Sequence, residues 1–152
     1  MPDPVTFDSA SARFGLPFLY SGQAQKEVFV NEAFATTDTL LHCKVEDEAG
    51  SPPAEAAEGQ TWLVAPGATG DWSGQDGSLA CFRAGGWTFI PPCDGLRIFN
   101  AASGQENLFF GLWRKASVPL EPLDGTTVDV EARATISSLI AALRVVGVFP
   151  TQ

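Results

Sequence analysis

The sequence predicts an α+β domain: an extended N-terminal arm, a helix, a compact antiparallel β-sheet or small barrel, and a C-terminal helix. Three observations predict it. Residues 61–115 are short β-rich runs punctuated by glycines and prolines, the pattern of short strands and tight turns. Residues 22–41 and 129–146 carry apolar side chains at helical spacing instead. Pro2, Pro4 and Pro17 forbid a helix ahead of the first of these.

A chain of 152 residues, 45% hydrophobic and 18% charged, can bury one core and is too apolar for a disordered segment. It divides into an arm (1–20), a helix with the β-rich region (21–120), and a linker with the closing helix (121–152). In the arm, Phe14, Leu16, Phe18, Leu19 and Tyr20 need cover, from their own domain or from a neighbouring subunit. Ser21 is placed to cap the first helix. Val30, Phe34, Thr37 and Leu41, widened by Phe29, Ala33 and Leu40, form a stripe expected to face the core, with Gln23, Lys26, Glu27 and Asp38 mostly facing elsewhere.

The acidic, proline-bearing stretch "EDEAGSPPAEAAEGQ" (46–60) reads as a solvated loop. "TWLVA" is a strand, followed by a glycine-punctuated excursion, "PGATGDWSGQDG", that carries Trp72. "SLACFRAGGWTFIPP" predicts a hairpin turning at Gly85-Gly86 and stopped by Pro91-Pro92. "GLRIFN" and "NLFFGLWRK" predict two further strands, the latter with Leu108, Phe110 and Leu112 on one face and Phe109 and Trp113 on the other. The last helix has Asp129 as its cap, Glu131 in its first turn, Arg144 in its last, and Gly147 just beyond its end. Ala132, Ile136, Leu139, Leu143 and Val146 keep an a/d spacing with Ile140 beside it. That face docks on its own domain or bundles with copies of itself.

Composition excludes several functions. A net charge of −9 opposes a nucleic-acid surface, which needs clustered lysine and arginine. No apolar run is long enough for membrane insertion, and the N-terminus lacks the basic and apolar regions of a secretory signal. Three cysteines without a CxxC pair read as buried thiols of a reducing cytoplasm, and adjacent His42-Cys43 is poor zinc-ligand spacing. No metal or cofactor is therefore expected. Nor is an enzyme: there is no GxSxG, and "GATGDWSG" lacks the Lys-Ser/Thr of a phosphate loop. Asp71, Asp76, Asp94 and Glu106 could pair as a glycosidase requires, but spacing alone does not fix their separation. Trp62, Trp87 and Trp113 occupy strand positions and are expected to fill the core. Trp72 beside Asp71, with Trp87, is the candidate platform for stacking on a glycan.

Several spaced motifs agree in order with a known family. They are Gln23-Ala24-Gln25-Lys26 with Asn31-Glu32-Ala33, Pro52-Pro53, Gly59 before Trp62-Leu63-Val64, Ala68 to Gly74, then Trp87, Pro91-Pro92 and Gly95. Over residues 16–115 the chain resembles a domain-of-unknown-function family encoded in prophages and gene transfer agents of alphaproteobacteria. The closing "EARATISSLIAALRVVGVF" is similar to helices that end fibre-associated chains. The resemblance implies a structural virion component, made in the bacterial cytoplasm and placed on the surface of a phage-like particle as the base or adaptor of a head spike or tail fibre. It implies a homo-oligomer, trimeric as fibres are or pentameric as at a capsid vertex. Its partners would be a capsid or tail protein and a distal fibre protein that helps attachment to the host. A carbohydrate-binding module for host capsular polysaccharide is the alternative. The interface is expected at Gln23, Gln25, Lys26, Asn31 and Glu32, with Phe18 and Tyr20 of the arm and Ile136, Leu139 and Leu143 of the last helix.

Overall fold

The computed structural model describes residues 10–13, 16, 18–19, 26–120 and 129–151. Among these residues the architecture is α+β: helix α1 (Lys26–Leu40), eight short strands, and helix α2 (Val130–Val145). The strands form two four-stranded sheets and no closed barrel. One is built on the meander β3 (Thr61–Val64), β4 (Leu79–Arg83) and β5 (Gly86–Ile90), with β2 (Glu48–Ala49) added parallel to β3. The other is built on β6 (Arg97–Asn100), β7 (Gln105–Phe110) and β8 (Leu112–Lys115), with β1 (Lys44–Val45) parallel to β6. Both sheets are therefore mixed, where the sequence led us to expect antiparallel pairing throughout.

Of the two parallel strands, β2 falls in the stretch expected to be a solvated loop (46–60) and β1 just before it. Around residues 43–49 the chain bonds to both sheets in turn. Phe99 and Ala101 donate their N–H groups to Cys43 and Val45, and Leu63 and Ala65 donate theirs to Asp47 and Ala49. Two-residue strands are too short to show alternation, so nothing in their local sequence announces them. This seam nonetheless joins the two halves of the protein.

Two apolar clusters result. Cys43, Val45, Leu63, Leu79 and Ile98 form one, with Leu40, Ile90, Leu96 and Trp113 packed at its margin. Trp62, Val64, Ala68, Trp72 and Ala80 form the other, beside Trp87 and Phe89. Successive residues of β3 serve opposite clusters, which is why all four of its side chains are buried.

The β4–β5 hairpin forms as predicted, but Arg83 pairs with Gly86, so the turn is Ala84-Gly85. A two-residue turn of this hand needs positive φ at both central positions, and they have +50° and +76°. Alanine is held there by Glu58, whose carboxylate accepts the Ala84 N–H through both oxygens. A second difference is at Gly111 (φ +67°), where the predicted single strand "NLFFGLWRK" folds back on itself. Phe109 then faces Trp113 directly, at 5.2 Å between ring centroids. The expected division of faces survives, because cross-strand partners share a face.

Helix α2 is capped as its sequence dictates. The Asp129 carboxylate accepts from the Ala132 N–H at 2.8 Å. At the other end Gly147 (φ +75°) donates to the Arg144 carbonyl and Val148 to that of Leu143, the paired bonds of a Schellman ending. The chain then returns to the β6–β7 turn. Glu106 N–H donates to the Gly147 carbonyl, Thr151 N–H to that of Ser103, and Gln105 Nε2 to those of Val148 and Ala116.

Candidate functional site

Helix α1 presents a different face to the protein from the one its apolar stripe predicts. Its buried residues are Ala35, Asp38 and Thr39, one position round from Phe34 and Thr37, whereas Phe29 is 79% exposed and Val28, Ala33 and Leu41 are exposed as well. The arm is the reason. Asp38 accepts from Ser11 Oγ at 2.7 Å and from the Arg13 N–H at 2.9 Å. The Arg13 guanidinium donates to the carbonyls of Asp38, Thr39 and His42, which no further turn of helix satisfies. A polar latch thus holds the Asp38 side of the helix against the domain; Val30, Phe34 and Leu40 stay half-buried, and Val28, Phe29 and Leu41 are left outside. Ser11, Arg13 and Asp38 carry no local sequence signal of this pairing, since Asp38 lies 27 and 25 residues from the other two.

Among the predicted interface residues, Asn31 does bind backbone. Its amide accepts the Leu19 N–H at 2.8 Å and donates to the Leu19 carbonyl at 3.1 Å, which fastens the arm to α1 of the same chain. Glu32 lies 3.4 Å from Arg83, and Lys26 is exposed. Half-buried Phe18 lines a small cavity of about 90 Å³ with Ala35, Asp38, Thr39 and Cys81. Gln23, Gln25, Tyr20 and the Ser21 cap lie outside the described residues.

The predicted seam of α2 stands largely uncovered. Leu139 is 58% exposed, Ile136 and Val146 are also exposed, and Leu143 is half-buried. Only Ile140, beside the seam, is buried. The helix therefore rests on one flank and leaves its a/d face outward. Val130 and Val145, near the two ends of the helix, are exposed on other sides of it.

Of the residues expected to form a glycan platform, Trp72 does not display its ring. Trp72 is 0% exposed, the largest fully buried side chain among the described residues. The short 3₁₀ turn Gly70–Trp72 points its ring inward, edge-on to Trp87 at 5.1 Å and tilted against Trp62 at 6.4 Å. Such edge-to-face contacts favour a packed aromatic cluster over a displayed ring. Trp87 is half-buried in the same cluster and Asp71 is exposed nearby. Asp76 and Asp94 brace turns: the first accepts the Gly67 and Ala68 N–H groups, the second that of Gly111. Glu106 faces Arg97 at 3.4 Å.

Cys43 and Cys81 are buried as expected, whereas Cys93 is exposed. Burial pushes the Cys43 thiol up to about 11, against the lowering influence of nearby Arg13. Among the described residues no three His, Cys, Asp or Glu side chains are grouped to hold a metal, and no helix is long and apolar enough to cross a membrane.

No curated protein matches the chain. A family model does, over residues 30–114, from the second turn of α1 through nearly all of β8. The two-sheet unit with its helical lead-in is accordingly the part that is shared, and the chain belongs to the family described as "protein of unknown function (DUF2793)".

Proposed function

We propose that this protein is a structural component of a phage-like particle: the base or adaptor of a head spike or tail fibre, assembling through copies of its own α2. The observation that carries the reading is the exposed a/d seam of that helix. Leucine and isoleucine repeated at heptad spacing on an open face are complementary to the same face of a sister helix. Two heptads do not hold an isolated coiled coil together, but the β domains bring further surface to the contact. The exposed pair Val28-Phe29 on α1 supplies a second patch, for the capsid or tail protein on which the base sits. Attachment to the host falls to the distal fibre, because no flat aromatic ring is displayed by Trp72 on this chain.

The test is the mass of the full chain in solution. A multiple of the 16.1 kDa protomer, threefold or fivefold, is expected, falling to one protomer in Leu139→Glu with the β-sheet spectrum unchanged. A wild-type chain that stays monomeric at tens of micromolar would overturn the self-assembly. The particle reading has its own test. Deleting the gene from a particle-producing host removes spike or fibre density in electron micrographs, and particles unchanged in appearance would reject it.

A further inference from the structure

Strand β8 is a sheet edge, and the bonding of β7 fixes which of its backbone groups are free. Phe109 is bonded on the β6 side: its N–H donates to the Leu96 carbonyl and its carbonyl accepts the Gly95 N–H. Antiparallel strands alternate, so Leu108 and Phe110 point their groups at β8, where Arg114 and Leu112 are their partners. Trp113 and Lys115 fall one step out of phase. Their N–H and C=O groups turn away from β7, and no described residue meets them. Two donors and two acceptors, repeating about 6.8 Å apart, form the row that another strand pairs with.

A groove runs beside this edge. Every residue from 111 to 117 lines it, and Glu48 of β2 lies along the opposite wall, its carboxylate 3.7 Å from Lys115 Nζ. One end, about 660 Å³, is walled by Pro66, Pro92, Phe109, Leu112 and Trp113. The other, about 540 Å³, is polar, with Asp47, Asn100, Gln105 and Asn107. Asn107 is only 4% exposed, yet its Oδ1 has no hydrogen-bond partner. A buried acceptor left in that state costs stability until a donor reaches it.

We propose that the β8 edge and this groove bind an extended polypeptide segment of another protein by strand addition. The backbone of the incoming segment pairs with Trp113 and Lys115. An apolar side chain enters the Phe109–Trp113 end, and a donor two residues away reaches Asn107 Oδ1. The two-residue spacing follows because Phe109 and Asn107 lie opposite Trp113 and Lys115. A polypeptide is favoured over a sugar because only a strand repeats donor and acceptor at the spacing of the free row.

The experiment uses the full chain as bait for displayed nine-residue peptides, half with an apolar-x-(Asn, Ser or Thr) core and half unpatterned, beside an oligosaccharide array. Patterned peptides are expected to be enriched. Lys115→Pro removes an outward N–H and no ladder bond, so it should keep a native melting curve and weaken binding at least tenfold. In the wild-type protein the enriched peptide should slow hydrogen exchange at the Trp113 and Lys115 amides. Exchange alone decides the matter if the proline variant fails to fold. Enrichment of unpatterned peptides or of sugars only, undiminished binding to a folded Lys115→Pro, or unchanged exchange at both amides each overturns the proposal.

Discussion

The β unit and α2 both carry abundant aliphatic side chains, but the fold treats them in opposite ways. Every residue of β3 is buried, and Trp62, Trp72 and Trp87 close around one another. Of the sixteen residues of α2, Ile140 alone is buried. The difference lies in what each has to pack against. A strand between two clusters finds partners on both faces within its own chain, whereas α2 meets the domain along one flank. Apolar periodicity states that a face exists. It does not state what covers that face, and the two regions give different answers to that question.

Mutations can break this contrast or sharpen it. The largest effect is expected at Trp72→Ala, which should cost about 3–5 kcal/mol in urea unfolding because the closed cluster cannot refill the cavity. Leu139→Ala, on the open face, should stay within about 0.5 kcal/mol when measured on dilute protomers. Equal costs at the two sites would mean that α2 is covered within the chain. Ile140→Ala comes next, at about 2–5 kcal/mol, and separates the docked flank of α2 from its free seam.

The latch should show a smaller effect. Asp38→Ala removes the acceptor of Ser11 and of the Arg13 N–H, so a loss of about 1–3 kcal/mol is expected, together with faster tryptic cleavage after Arg13. Unchanged cleavage would show that Asn31 and the guanidinium hold the arm without it. The smallest effect concerns the thiols. At pH 8, mass spectrometry after alkylation should find Cys93 modified in the native protein, with Cys43 and Cys81 modified only after unfolding. The pH dependence follows from the raised Cys43 value. Its contribution to stability is fully present below about 9 and is lost as pH rises toward about 11, so denaturation midpoints should fall across that window.

Much of the fold was legible because local chemistry dictates it. Asp129 and Gly147 mark the ends of α2 through backbone groups within a few residues of them. The β4–β5 hairpin was legible too, and the one-residue shift of its turn reflects Glu58, a long-range partner that stabilises Ala84 where a second glycine was expected. The strands β1 and β2 were not legible, since their only evidence is parallel pairing with chain far away in sequence. The candidate surfaces divide in the same way. Ile136, Leu139 and Leu143 were named from spacing alone. The exposure of Phe29 and the burial of Trp72 were not legible in the same way, because each depends on which way a segment is rotated by contacts made elsewhere.

The sequence by itself determined the two helices, the core strands, the hairpin and the existence of an apolar seam on α2. Each of these rests on interactions among residues close along the chain, or on a periodicity that needs no partner to be read. Tertiary structure alone decided that the acidic segment joins two sheets, that Arg13 and Asp38 set the rotation of α1, and that the β8 edge lies beside an open groove. Those outcomes depend on bonds between distant residues, whose free energy is absent from any local stretch until the chain has closed upon itself.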